Sequence, residues 1–137
     1  MIEKTKILLV EKDIPAAMML VHGLTSAGCD VRVAPTARKG MHLAQTTHFD
    51  LVVLDLDLPD LENLDLEGEL QQLRTVNPAP VIFISQHASE AERQCSLALG
   101  AVEYLAKSSG AQEFIRRILA HANARNASTD TTPIAAT

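Results

Sequence analysis

The residues of this chain that could do chemistry fall where short apolar runs stop. Leu51-Val52-Val53-Leu54 runs into Asp55 and Asp57, with Pro59 just beyond. Lys6–Val10 runs into Glu11, Lys12 and Asp13, Val81–Ile84 into Ser85, and Glu103–Ala106 into Lys107. One carboxylate at such a point is as readily a solvated turn as a reactive group, because Asp is common in turns. Carboxylates, a hydroxyl and an ammonium gathered at one place are the equipment for handling a phosphoryl group. A carboxylate can attack phosphorus and carry it as an acyl phosphate. A hydroxyl and a lysine then bind the phosphoryl oxygens, the lysine as a point charge. Neighbouring carboxylates would hold Mg²⁺, which takes oxygen ligands and screens the approaching phosphate.

Positioning those groups requires the runs to be strands of one sheet. Continuous apolar runs of this length are the pattern of strands buried on both faces of a parallel sheet. Pro59 cannot donate to a ladder, so the third strand stops before it. A weaker second strand is read over Asp30 to Ala34. Helical segments alternate with the strands. Pro15 suits a first turn, and the helix it opens runs through Met19, Leu20 and Leu24 to about Ala27, with Gly28 at the left-handed end. Thr36 caps a second helix with Ala37, Met41 and Ala44 on one face, and Gly40 inside it costs about 1 kcal/mol relative to alanine with no evident reason. Asp60 to Gly68 reads as an acidic, leucine-alternating loop, followed by a third helix with Leu70, Leu73 and Val76 inward. Ser89 and Glu92 form a capping box for a fourth helix that ends at Gly100. The last helix, about Ala111 to Ala124, carries Phe114, Ile115, Ile118, Leu119 and Ala122 on one stripe. Five alternations of strand and helix imply an α/β doubly wound parallel sheet, whose strand carboxyl ends are where ligands sit.

Composition sets the limits. The 137 residues, 47% hydrophobic and 21% charged, make one globular domain over 1–125. From Asn126 the large apolar residues give way to Ala, Ser, Thr, Asp and Pro, so 126–137 reads as a disordered tail or the start of a linker. A net charge of −5 argues against direct nucleic-acid binding. No run is long enough to span a membrane and the start is no signal peptide, which makes the cytoplasm the expected compartment. Cys29 and Cys95 have no paired spacing and read as reduced thiols, and the five histidines have no metal-site spacing.

Over about Lys4 to Asn123 the pattern of strand ends strongly resembles the receiver domain of two-component response regulators. The resemblance implies a flavodoxin-like fold with strand order 2-1-3-4-5, and a phosphorelay role in signal transduction rather than an enzyme's. Asp55 matches the aspartate that takes a phosphoryl group from a histidine kinase or phosphotransfer protein. Ser85 matches the switch hydroxyl, Tyr104 the switch aromatic and Lys107 the lysine that binds the phosphoryl group. Asp57 matches the position whose backbone carbonyl binds the metal, so Mg²⁺ would be held by Glu11, Asp55 and that carbonyl. The face of the fourth helix, fifth strand and fifth helix would signal to an output domain or protein, and a homodimer through the fourth and fifth helices is left open.

The chain departs from that pattern in three places. Lys12 stands where a direct metal ligand is expected. An ammonium about 4 Å from Asp55 attracts it by about 4 kcal/mol at an effective dielectric near 20, so Lys12 in the metal's place would weaken Mg²⁺ binding. Ser108 follows Lys107 where the family has proline. A cis bond there costs ~3 kcal/mol without proline, so a trans bond is expected and a different aim for Lys107 with it. The loop after Pro59 is longer, leaving Asn63 or Gly68 for the family's glycine turn, and Gln86 is bulky enough to narrow access to Asp55. Two other readings follow. One is a pseudo-receiver, an interaction module that works without phosphorylation. The other is a phosphohydrolase resembling the haloacid-dehalogenase type, which also uses Asp-x-Asp, Ser and Lys. That family needs a further acidic pair downstream, and only Glu113 and Asp130 follow Lys107.

Overall fold

Each apolar run becomes a strand. The computed structural model of the chain describes residues 4–135, with side chains through Asn123. Its strands are β1 (Thr5–Val10), β2 (Cys29–Ala34), β3 (Leu51–Asp55), β4 (Val81–Ser85) and β5 (Glu103–Ala106). All pair in parallel, in the order β2-β1-β3-β4-β5. Between and after them come α1 (Ile14–Ser26), α2 (Ala37–Thr46), α3 (Leu66–Val76), α4 (Glu90–Ala98) and α5 (Ala111–Ala135). This is the α/β doubly wound, flavodoxin-like arrangement. No helix among the described residues is long and apolar enough to cross a membrane.

Period-two alternation divides the core. Ile7, Leu9, Leu51, Val53, Ile82, Ile84 and Leu105 face Ala17, Leu20 and Leu24 of α1 and Phe114, Ile118 and Ala122 of α5. Leu8, Val10, Val52, Leu54 and Phe83 face Ala37 and Ala44 of α2 and Leu70 and Leu73 of α3 on the other side. Burial on both faces is why the strands show no alternation of polar residues. Helix starts follow the sequence cues: Asp13 Oδ1 accepts from Ala16 N, Thr36 Oγ1 from Lys39 N and Ser89 Oγ from Glu92 N. Gly28 and Gly100 end α1 and α4 with φ of 93° and 100°. Cys29 is a buried thiol and Cys95 an exposed one.

Four expectations are revised. Helix α3 starts at Leu66 and includes Gly68, because Asp65 caps it by accepting from Gly68 N at 3.1 Å. The residues before it form a 3₁₀ segment, Pro59–Asn63, and neither Asn63 nor Gly68 has positive φ. Val76 is 57% exposed rather than inward. At about 100° per residue it sits roughly 120° around the helix from Leu70. Helix α5 runs on through Ala135 rather than ending near Ala124.

Gly40 now has a reason. A Cβ there would come within 2.6 and 2.8 Å of the two Val10 methyl groups, so α2 can lie this close to β1 only without a side chain. Gly40→Ala should therefore lower stability by about 1 kcal/mol, since an overpacking cost of about 1–3 kcal/mol exceeds the roughly 1 kcal/mol gained in helix propensity. Urea unfolding midpoints check this; a more stable variant would show that Val10 gives way freely.

Candidate functional site

The phase of the strands selects which end residues meet. Glu11 follows Leu9, Asp55 follows Val53 and Lys107 follows Leu105, all in the phase of the α1/α5 face. Glu11 N still donates to Ala34 O at 3.0 Å, so the β1–β2 pairing continues one residue past β1 and holds Glu11 in that phase. Glu11 is buried (1% exposed), as is Asp55 (0%). Lys107 opens the 3₁₀ turn Lys107–Ser109 after β5. Its Nζ lies 2.8 Å from Asp55 Oδ2, 3.3 Å from each Glu11 oxygen and 3.9 Å from Asp57 Oδ2. One ammonium thus faces three carboxyl groups.

Lys12 is not that ammonium. It takes the opposite phase, is exposed, and makes no hydrogen bond or ion pair among the described residues. Asp13, next along, is spent on capping α1. The expectation that Lys12 fills the metal's place is therefore corrected: Lys107 neutralises the pocket. All described peptide bonds are trans, including Lys107–Ser108, and Lys107 reaches Asp55 all the same.

The charges follow from this geometry. Burial works against an ionised Asp55, but hydrogen bonds from Glu11, Lys107 and Asp57 N outweigh it and hold its pKa below the ordinary value. Burial first, then the Asp55 carboxylate, push Glu11 up to about 7. Burial also opposes the charge on Lys107, yet Asp55 and Glu11 raise its pKa. Near neutrality Glu11 is the group that carries the extra proton. Two buried carboxyl groups sharing a proton are suited to a divalent cation, which would replace it. No group of three or more His, Cys, Asp or Glu side chains placed to hold a metal occurs among the described residues. The available oxygen donors are Glu11, Asp55 and the Asp57 carbonyl, a small set that fits Mg²⁺ with water completing its shell.

The surrounding loops are tied to the site. Asp57 N donates to Asp55 Oδ1 at 2.8 Å, and Asp57 Oδ2 accepts from Gln86 N at 2.7 Å. Ser85 at the end of β4 is buried (1% exposed), and its hydroxyl makes no hydrogen bond among the described residues. Gln86 is exposed and, with Glu11, Asp13, Ala16, His87, Lys107 and Ser108, lines an open cleft. Tyr104 OH accepts from Ser89 N at 3.2 Å and donates to Glu92. Burial and the Glu92 carboxylate raise its pKa. Asp60 accepts from Ala37 N at 3.0 Å and Arg38 N at 2.9 Å, pinning the loop after β3 to the start of α2. The structure thus brings together Glu11, Asp55, Asp57 and Lys107. It places Ser85 at the adjoining strand end and Tyr104 on the α4 side, and leaves Lys12 out. The role of Asp60 and the observed partners of the Asp57 and Glu92 side chains, Gln86 N and Tyr104 OH, went unread, because the paired residues lie 12 to 29 residues apart in sequence.

The raised pKa of Glu11 has a stability consequence. A carboxyl whose folded pKa lies above its unfolded value binds the proton more tightly when folded, so its contribution is present at low pH and lost as pH rises from about 4.5 to about 7. Glu11→Gln removes that loss. Without added metal, the variant should gain about 2–3 kcal/mol on the native chain between pH 5 and pH 8. Thermal melts at the two pH values check this, and a constant difference would contradict it.

Comparison with known proteins agrees with this geometry. The family model described as the response regulator receiver domain matches residues 7–119. The probable transcriptional regulatory protein SilR of Salmonella typhimurium is 38% identical over 114 residues, covering 82% of this chain and 49% of SilR. The chain spans about half the length of the curated relatives it matches. The non-phosphorylated HemR receiver domain from Leptospira biflexa superposes with a TM-score of 0.75 at 31% identity, over 87% of this chain and 94% of that one. A Burkholderia pseudomallei response regulator, solved with a phosphorylated aspartic acid, calcium and citrate, shares the fold at TM-score 0.71 and 24% identity, over 92% and 73%. With the sheet order, the strand-end residues and the match over most of its length in agreement, the chain belongs to the response regulator receiver domain family of two-component systems.

Proposed function

We propose that Asp55 accepts a phosphoryl group from a histidine kinase or phosphotransfer protein, and that the chain relays this as a signal rather than turning over a substrate. The observation that carries the reading is the buried Asp55 carboxylate, 2.8 Å from Lys107 Nζ and kept ionised by hydrogen bonds from Glu11, Lys107 and Asp57 N. An ionised carboxylate is the nucleophile, and Lys107 remains to neutralise charge that arrives with the phosphoryl group. The buried Ser85 hydroxyl supplies a donor at the neighbouring strand end. Tyr104, bound to the start of α4, links that region to the α4–β5–α5 face, which would signal to an output domain or protein, as fits a chain whose relatives are named transcriptional regulators.

Mg²⁺ would be held by Glu11, Asp55 and the Asp57 carbonyl, and when bound it supplies positive charge for the incoming phosphate. The end of β1 gives it one carboxylate, because Lys12 faces solvent and Asp13 caps α1. The same observation favours a second reading, a pseudo-receiver that works unphosphorylated.

Acetyl phosphate with millimolar Mg²⁺ separates the two: a phosphoryl adduct on Asp55, absent in Asp55→Asn, is expected, and its absence supports the pseudo-receiver. A Mg²⁺ titration tests the weak site. Because position 12 faces away from the pocket, Lys12→Asp should leave the affinity unchanged; tighter binding would show that this position reaches the metal.

A further inference from the structure

Asp57 has a carboxylate that the phosphoacceptor scheme does not use, and it lies at the mouth of the site. Its Oδ2 sits between two donors, Gln86 N at 2.7 Å and Lys107 Nζ at 3.9 Å. Lys107 Nζ is itself 2.8 Å from Asp55 Oδ2. Asp57 Oδ2 accepts from the N–H that follows the buried Ser85 hydroxyl, and it lies within ion-pair range, but not hydrogen-bond range, of the ammonium that holds Asp55. A phosphoryl group on Asp55, beside the same ammonium, would reach toward the same N–H. We infer that the Asp57 side chain is an internal occupant of the phosphoryl-oxygen position, a restraint that must swing away from Gln86 before Asp55 can be phosphorylated. The inference rests on Asp55 being the acceptor.

Two physical effects make the restraint. The carboxylate fills a donor that the phosphoryl group needs, and a hydrogen bond to an ionised acceptor is stronger than one between neutral groups. It also sets a negative charge beside a group that arrives with about −1.5 to −2 charge, and like charges at this range oppose each other. Asp57 is partly exposed, its side chain retaining 31% accessibility, so water can receive it when it leaves. The backbone bond from Asp57 N to Asp55 Oδ1 is independent of the side chain. In the transfer itself, the bond between phosphorus and the donor atom, an imidazole nitrogen in a phosphohistidine or the bridging oxygen in acetyl phosphate, breaks as a bond to an Asp55 carboxylate oxygen forms. With acetyl phosphate, acetate leaves with the electron pair and no proton moves. Asp57 takes no part in those bonds and acts only by vacating its place.

Two variants of the full chain divide the effects. Asp57→Ala frees Gln86 N and removes the charge; Asp57→Asn removes the charge and keeps an acceptor oxygen. With acetyl phosphate and Mg²⁺, adduct formation on Asp55 should be faster in both. It should be fastest in Asp57→Ala, by roughly tenfold, the size of one charge-assisted hydrogen bond no longer broken. An equal or slower rate in Asp57→Ala overturns the restraint while leaving Asp55 as the acceptor. No adduct in any of the three chains overturns both. The amide proton resonance of Gln86 gives a second readout, independent of phosphorylation. Without phosphodonor it should move upfield in Asp57→Ala and less so in Asp57→Asn; an unmoved resonance overturns the inference. The rest of the same spectrum reports whether each variant keeps the native fold.

Discussion

The contact on which the site depends is the pairing of Lys107 with two buried carboxyl groups. At 2.8 Å and an effective dielectric near 20, the gross attraction between Lys107 and Asp55 is about 6 kcal/mol. Removing both charges from water costs several kcal/mol per ion. The pair therefore adds little net stability, and its effect is on ionisation. Hydrogen bonds from Glu11, Lys107 and Asp57 N keep Asp55 charged in a place where burial opposes ionisation. Glu11, with the same ammonium more distant at 3.3 Å, loses that contest and takes the proton. Two carboxyl groups of the same type are thus pushed apart by about half an ångström of separation and by unequal hydrogen bonding. Asp55 has a backbone N–H as well as the ammonium.

A cluster that contributes so little must be held by the rest of the molecule. Glu11 and Lys107 are 96 residues apart and Asp55 is 52 from Lys107, so no local structure can join them. Parallel pairing does so, because every strand runs the same way and all carboxyl ends arrive at one edge. The two-sided core supplies the stability, and one of its close helix–strand contacts lies beside the site. Val10, against which Gly40 packs, directly precedes Glu11. The cost of a glycine within α2 is the condition for β1 lying as it does against that helix.

Much of this was legible because strands buried on both faces declare themselves as apolar runs, and their ends are then known to within a residue. Glu103–Ala106 was read with its observed bounds despite its shortness. What failed was direction. Lys12 was placed in the pocket on its position in a motif, whereas the alternation of β1 continues through Glu11 and sends Lys12 the other way. Counting phase from Leu9 would have found this. Val76 failed similarly, being apolar but on the wrong side of a helix whose stripe is set by Leu70 and Leu73. Contacts that join distant loops had no such signal. Nothing near Asp60 marks it as a second cap for α2, and nothing near Asp57 marks Gln86 as its partner.

The capping box at α4 shows how a correct local reading can still miss the functional point. Ser89 and Glu92 were read as a reciprocal pair, and half of that pair is present, Glu92 N donating to Ser89 Oγ. In the other half, Tyr104 OH stands between the Ser89 N–H and the Glu92 carboxylate, accepting from one and donating to the other. The sequence encodes a closure in which Glu92 reaches Ser89 N directly, and the structure holds one in which a tyrosine from β5 is inserted. The direct closure would satisfy the first turn of α4 equally but would leave Tyr104 OH without these two partners, which favours the inserted tyrosine. Tyr104 lies three residues before Lys107. Its hydroxyl therefore ties the strand that leads into Lys107 to the start of α4.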